Sequence, residues 1–303
     1  MVLVPQRRER LEQKNSYYII SWVPDHPADQ GRTECQAGFF SLFIRALYGI
    51  RLATAYGSAY YVDYGNMSYG YSEPDKFSGD TNFWNYYFVQ LFLPPTVSKI
   101  TNLPYETFPL RIWNSSFLKE MHQIVENYIV FQPQVKTSFF EKKKQFQREK
   151  RVIGVHIRRT DHAGEVEPVS TATYIKAVRR VLQEGDRIFI ATDDARTLDA
   201  FTAEFGVLVI NNHVKRSEDG RPVHRWHPEE GRYQLGLEAL LDCYCLSLCN
   251  EAFLCHSNLS YAALLFNPEL NYTLLETSKH RNLRIKTLLT YYLDRLFTTL
   301  PGK

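Results

Sequence analysis

His156, Arg158, Arg159 and Asp161 follow directly on the apolar run Val152-Ile153-Gly154-Val155, with no turn residue between. Two guanidinium groups, an imidazole and a carboxylate in one place suit a phosphorylated ligand, because forked arginine donors grip phosphate oxygens bidentately. The plain alternative is a strand that ends in a solvated loop. A second pair, Asp193 and Asp194, ends the run Arg187 to Thr192. Adjacent carboxylates can hold a divalent metal, yet Asp194 also stands where a helix needs its N-cap. Asp242 lies inside the otherwise apolar stretch Glu238 to Asn250 (EALLDCYCLSLCN). A carboxylate there needs a partner, either a salt bridge within the protein or a donor on a ligand. Ser257, Asn258 and Ser260 follow Phe253-Leu254-Cys255-His256, where a strand turns into a helix. Their hydroxyls and backbone N–H groups can cap the helix or hold an anion, and the same donors serve both.

These residues must be positioned by an alternating series of elements. A continuous β-branched run at 152–157 reads as a strand buried on both faces. A helix over 171–184 carries an apolar stripe through Tyr174, Val178, Val181 and Leu182. A strand at 187–191 follows, then a helix starting at Asp194 with Leu198, Phe201 and Phe205, and a strand at 207–211. A polar segment at 212–232 leads to a buried helix at 233–249, a strand at 252–256, a helix at 258–266 and an amphipathic helix at 279–298. Such an order implies parallel strands with right-handed crossovers, and ligands bind at the carboxyl ends of those strands.

The first half reads as a strand at 17–23, a helix near 36–56 and a strand at 59–63, one β-α-β unit. Gly38, before that helix, is either a turn residue or a point of close backbone approach to a ligand. The segment 64–84 is long and rich in Gly, Ser and Tyr, a composition suited to a carbohydrate acceptor or to an irregular surface loop. A mixed helix is expected over 124–140, followed by a charged run that reads as a solvated helix end or linker. The expected organisation is an N-terminal acceptor-side α/β domain at 1–140 and a linker at 141–150. A Rossmann-like domain at 151–275 and a C-terminal helix at 276–303 complete it.

HIRRTD (His156 to Asp161), ATDD (Ala191 to Asp194) and an LLD helix ending at Asp242 before a Ser-rich turn resemble the GDP-fucose-dependent fucosyltransferases. The likeness is nearest to the α1,6 group, the animal core N-glycan and rhizobial nodulation enzymes. It extends back to Phe131-Gln132-Pro133 and to Cys35 through Gly65. The resemblance implies an α/β, GT-B-like fold, two Rossmann-like domains facing a cleft, with GDP-fucose as donor and a glycan hydroxyl as acceptor. It further implies an inverting reaction with no metal and no cofactor. Arg158 would neutralise the departing diphosphate. His156 and Asp242 would contact guanine, and one of Ser257, Asn258 and Ser260 the β-phosphate. Arg159, Asp193 and Gly38 are counted with the donor site, and Asp161 with the catalytic residues. A base must take the acceptor proton; Glu165 is the first choice and Glu167 the reserve. His162 stands where the animal enzymes have lysine, on the acceptor side. An α1,2 or protein-O fucosyltransferase and a non-catalytic sugar-nucleotide-binding protein stay open beside the α1,6 reading.

Composition bounds the alternatives. A chain of 303 residues, 44% hydrophobic, can bury two cores. A net charge of +3 gives no electrostatic case for nucleic acid. No apolar run is long enough to span a bilayer, and the start Met1 to Pro5 is too short for a signal core. The 5 cysteines lack a paired metal-binding spacing and read as free thiols of a reducing compartment. The expected location is cytoplasmic, with the lumenal domain of a trimmed secretory enzyme as alternative. Asn66, Asn114, Asn258 and Asn271 begin glycosylation sequons, read as chance matches because Asn258 falls in the site-like stretch.

Overall fold

A computed structural model describes residues 17–21, 34–93, 100–102, 111–160, 168–223 and 231–298, with 100–102 and 294–298 as backbone only. The chain forms two compact units that interleave in sequence. One comprises Met1–Phe108, Gln123–Thr137 and His227–Leu237; the other comprises Pro109–His122, Ser138–Trp226 and Glu238–Lys303.

The first unit begins with β1 (Tyr17–Ile20), β2 (Glu34–Cys35), α1 (Phe39–Ala55) and β3 (Ala59–Val62). It continues with β4 (Ser68–Tyr69), a 3₁₀ turn at Pro74–Phe77, α2 (Trp84–Tyr87), β5 (Phe88–Val89) and β6 (Ile100–Asn102). β3, β1 and β6 make a parallel sheet in that order. The helix α1 is apolar nearly all round, and Phe40, Phe43, Ile44, Leu47 and Ile50 are all buried. Within the segment 64–84, the rings of Tyr64, Tyr69, Tyr71, Phe83 and Trp84 are core, while the residues between them are largely exposed or half-buried. Tyr64, Tyr69 and Phe83 are buried, with the Tyr64 and Phe83 rings stacked 5.3 Å apart. A buried phenol needs a hydrogen-bond partner. The Tyr64 hydroxyl donates to the Leu42 carbonyl at 2.8 Å, and that of Tyr71 accepts from the Phe39 N–H at 2.9 Å. These bonds let so many tyrosines enter a core.

Next come α3 (Ser115–Tyr128), β7 (Val130–Phe131) and α4 (Pro133–Phe146). The single helix expected at 124–140 is thus two. Pro133 cannot donate a backbone hydrogen bond, which suits the first turn of a helix and not its interior. The residues before it pair instead, β7 lying antiparallel to β5 and the Gln132 N–H reaching the Tyr87 carbonyl at 2.8 Å. α4 runs into the charged stretch, read as a solvated helix end or linker, and ends at Phe146; Glu141 to Lys144 lie in its last turns.

The second unit holds β8 (Arg151–Ile157), α5 (Thr171–Val181), β9 (Asp186–Thr192) and α6 (Ala195–Phe205). A 3₁₀ turn at Gly206–Leu208 leads to β10 (Val209–Ile210), then α7 (Arg232–Ser247), which belongs to this unit from Glu238 onward, β11 (Glu251–Leu254), α8 (Asn258–Phe266), β12 (Asn271–Leu274) and α9 (Ser278–Thr298). The sheet order is β10-β9-β8-β11-β12, and every pairing is parallel. Strand order therefore reverses between β8 and β11, the kind of switch point where open α/β sheets bind ligands. Ile153, Val155, Ile157, Ile188 and Ile190 pack one sheet face against Tyr174 and Val178 of α5 and Phe201 of α6. On the other face Gly154 admits close approach: a Cβ there would lie 2.9 Å from the Cys249 sulfur and 3.3 Å from the Ala252 Cβ. β12 is a strand that the sequence does not announce. Its side chains alternate between exposed and half-buried, so it has no apolar run to mark it.

The three central strands are pinned at their starts by one cation. Arg151 Nη1 lies 2.7 Å from Asp186 Oδ2 and Nη2 lies 2.7 Å from Glu251 Oε2. Asp186 is only 2% exposed, so removing Arg151 strands a buried charge. Arg151→Ala should lower stability by roughly 3 kcal/mol in urea unfolding. Adding Asp186→Asn should recover part of that loss, because the stranded group is then neutral. An unchanged unfolding midpoint in the single variant would mean that the pair holds nothing together.

Candidate functional site

β8 carries His156 into the sheet's carboxyl edge, where burial makes hydrogen-bond partners obligatory. His156 Nδ1 lies 2.7 Å from Ser260 Oγ, 3.3 Å from Ser257 Oγ and 3.5 Å from Cys255 Sγ. Cys255 and Ser257 belong to the turn between β11 and α8, and Ser260 to the first turn of α8. Ser257 is the N-cap of α8, its Oγ accepting from the Ser260 N–H at 3.1 Å. The third member of the turn, Asn258, accepts from Arg111 Nη1 at 2.7 Å. The serines thus act as cap and as histidine anchor together. Burial by itself would push the Cys255 thiol up. The His156 charge and hydrogen bonds from His156, Ser257 and Ser260 outweigh it and bring the thiol down to about 6.

Past His156, the backbone turns around Asp193. Asp193 Oδ1 accepts from the Arg159 N–H at 2.8 Å, while Oδ2 accepts from the Thr160 N–H at 3.3 Å and hydroxyl at 2.6 Å. The Arg159 guanidinium reaches forward instead, donating to the Val169 carbonyl at 2.7 Å and to Thr171 Oγ1 at 2.9 Å. Asp193 and Arg159 therefore tie the two ends of the segment between β8 and α5. Asp194 caps α6, its Oδ2 accepting from the N–H and hydroxyl of Thr197. Half-buried Arg158 stands at the end of β8. Asp161, His162, Glu165 and Glu167 lie outside the described residues.

Asp242 sits on α7 and is buried. Its partner is a residue that the sequence does not single out: Asn212 Nδ2 donates to Oδ1 at 2.8 Å. Burial pushes the Asp242 carboxyl up to about 6, against the lowering pull of the Asn212 bond and of Arg216 and His156; Glu238 adds to the rise. Arg216 itself is lowered by burial, and the charges of Asp242 and Glu238 oppose that. Its Nη1 donates to the Val214 carbonyl and its Nη2 to Asn211 Oδ1, while Nε is buried without a hydrogen-bond partner among the described residues. Arg111, Asn212 and Arg216 carry no periodic or motif signal. The one cue to Asn212 and Arg216 is a polar segment set against an apolar helix that contains one carboxylate.

Gly38 belongs to the other unit, as the N-cap of α1 with φ −66° and ψ 153°. A Cβ there would meet none of the described residues within 4 Å. Neither backbone conformation nor packing against the described residues requires a glycine.

Among the described residues, no group of three or more His, Cys, Asp or Glu side chains could hold a metal ion. No helix among them is long and apolar enough to cross a membrane. The cysteines are free and buried.

No family model and no curated protein matches the sequence. Solved structures do match in fold. A crystal structure of the fucosyltransferase NodZ from Bradyrhizobium is 14% identical, with TM-score 0.51 over 82% of this chain and 92% of that one. A selenomethionine form from the same organism is 15% identical, with TM-score 0.52 over 83% and 92%. NodZ α1,6-fucosyltransferase soaked with GDP-fucose is 14% identical, with TM-score 0.50 over 84% and 93%. At such identities the likeness is one of fold, and the α/β, GT-B-like class expected from HIRRTD, ATDD and the Asp242 helix is the one that the chain adopts.

Proposed function

We propose that the chain is a glycosyltransferase that moves L-fucose from GDP-fucose to a glycan hydroxyl. The observation that carries this reading is the grouping, at the carboxyl ends of one parallel sheet, of His156, Arg158, a buried Asp242 and the Ser257-capped start of α8. That grouping supports a sugar nucleotide in particular. A carboxylate accepts well from the paired N1–H and N2–H₂ donors of guanine. A helix start offers N–H groups to phosphate. Arg158 supplies charge where a diphosphate departs, and such electrostatic stabilisation commonly does more than any other effect to speed a group transfer. None of the described residues crowds Gly38, which is compatible with close approach of a ligand.

The finer reading is an inverting transfer, α1,6 or a related linkage, with arginine in the role that a metal fills elsewhere. The hydrogen bonds of Asp193 and Asp194 support it, because the carboxylates that could make an Asp-pair metal site hold backbone and cap a helix instead. Glu165, with Glu167 in reserve, is the proposed base, and His162 is assigned to the acceptor side. Incubation with GDP-fucose and an array of glycan acceptors should give fucosylated product, undiminished by EDTA. Strict dependence on added Mn²⁺ would contradict the arginine mechanism. GDP binding without transfer or hydrolysis on any acceptor would favour a non-catalytic sugar-nucleotide-binding protein, and product on an α1,2 or protein acceptor would reassign the linkage.

The division of labour between Arg158 and Asp242 is testable by kinetics. Charge on Arg158 matters most in the transition state, so Arg158→Ala should lower kcat by roughly 10² to 10³. Arg158→Lys should restore only part of it, since a point charge cannot copy a bidentate fork. Asp242 would contact the base equally in ground and transition states, so Asp242→Asn should chiefly raise the donor KM. Steady-state kinetics with GDP-fucose decides: a kcat defect in Asp242→Asn with only a KM defect in Arg158→Ala would reverse the assignment.

A further inference from the structure

The segment following β10 packs along a single stripe of α7. The Lys215 N–H donates to Glu238 Oε2 at 3.2 Å, Asn212 Nδ2 donates to Asp242 Oδ1 at 2.8 Å, and Asn212 meets the Cys245 sulfur at 3.6 Å. Glu238, Asp242 and Cys245 stand at helical spacing on one face. The far end of the segment is anchored elsewhere, the Ser217 N–H donating to the Asp193 carbonyl at 2.8 Å and the Ala195 N–H to the Ser217 carbonyl at 2.9 Å. Thus Asn212 is held against Asp242, and the chain that carries Arg216 is fixed at both ends. Among the described residues, only Oδ1 of that carboxylate accepts a hydrogen bond.

We propose that residues 211–217 form a specificity element for the nucleobase: Asn212 fixes one oxygen of Asp242, and Arg216 supplies the countercharge, so that Asp242 offers its other oxygen, as an anion, to paired N–H donors of a purine base. This rests on the reading of the site as a sugar-nucleotide site. Asn212 and Arg216 act through Asp242 and are positioning residues. The physical need is clear. A neutral Asp242 would present an O–H that competes with the base's own donors, and a buried carboxylate without countercharge drifts toward neutrality. The charged and titratable groups around it are Arg216 from the segment, Glu238, Cys243 and Cys245 from α7 itself, and His156 from β8. Arg216 and His156 favour the anion; Glu238 and burial oppose it.

The consequence is an acid limit to donor affinity that these two residues set. GDP-fucose is the probe, because its diphosphate diester has no proton to exchange near neutrality. By isothermal titration calorimetry, wild-type affinity should fall roughly tenfold from pH 7 to pH 5 as Asp242 takes up a proton. Arg216→Met keeps the stem and removes the charge, and should move this acid limb up by roughly one pH unit. Arg216→Lys should leave the limb near its wild-type position. Asn212→Ala should also move it upward, and carries the test if Arg216→Met does not fold by circular dichroism. A role in packing alone would weaken the variants without moving the limb, and a limb unmoved in the folded variants overturns the inference. A wild-type protein that binds no GDP-fucose at any pH overturns the donor reading and this inference with it. Tight wild-type binding with unshifted variants overturns the inference alone.

Discussion

One residue holds the ends of three elements together. Asp193 closes β9, and its carboxylate accepts from the backbone of Arg159 and Thr160 and from the Thr160 hydroxyl. Its carbonyl accepts from Ser217 at the end of the segment that lies over Asp242. Hydrogen bonds to a charged group contribute about 1.5–3 kcal/mol each, so this knot is strong for its size. It fixes where the chain leaves β8, hence where Arg158 stands. It also anchors the strip of polar chain that reaches Asn212 and Arg216. In the sequence Asp193 looks like a ligand-contacting carboxylate; its oxygens are committed to the scaffold, and any contact with a donor is shared with that task.

Much of the second unit is legible in the sequence because its signals are local. A β-branched run such as Val152 to Val155 reads as a buried strand, a residue like Asp194 before an apolar stripe suits the start of a helix, and their alternation implies parallel pairing. The helix at 258–266 and its Ser257 cap are readable for the same reason. What escapes is largely non-local. Pro133 marks the helix break locally, but the strand before it depends on β7 finding β5, far back in the chain. The tyrosines of 64–84 read as surface because phenols are usually half-exposed, yet their hydroxyls find partners such as the Leu42 carbonyl and the rings go inside. The interleaving of the two units cannot be seen in composition, since helices such as α4 run through the division without a change of character.

The site divides in the same way. His156 and the serines announce themselves as a polar group ending an apolar strand and hydroxyls at a strand-to-helix turn. Their mutual bond at 2.7 Å joins two stretches that are separate in the sequence. Asp242 announces that it needs a partner without saying which. Asn212, Arg216 and Arg111 lie in irregular chain, where no period distinguishes a working side chain from a solvated one.

Asp242 also shows where the fold gives up stability. Its carboxyl is raised from 3.8 to about 6 by burial. For a group raised in the folded state, the favourable contribution is complete below the unfolded value and is lost as pH rises through the folded one. At neutral pH the folded chain therefore holds Asp242 in the charged form that burial disfavours, on a helix whose neighbours Leu240, Cys243 and Leu246 are apolar and buried. An apolar side chain would pack there without that penalty. A neutral amide would keep the shape and, like it, lose the charge. Retaining a carboxylate makes sense only if the anion is used, and strained ionisation beside a cluster of polar groups is characteristic of binding sites. Donors on a purine edge are the use proposed for its remaining oxygen, and the charge of Arg216 works against the neutral form that burial favours.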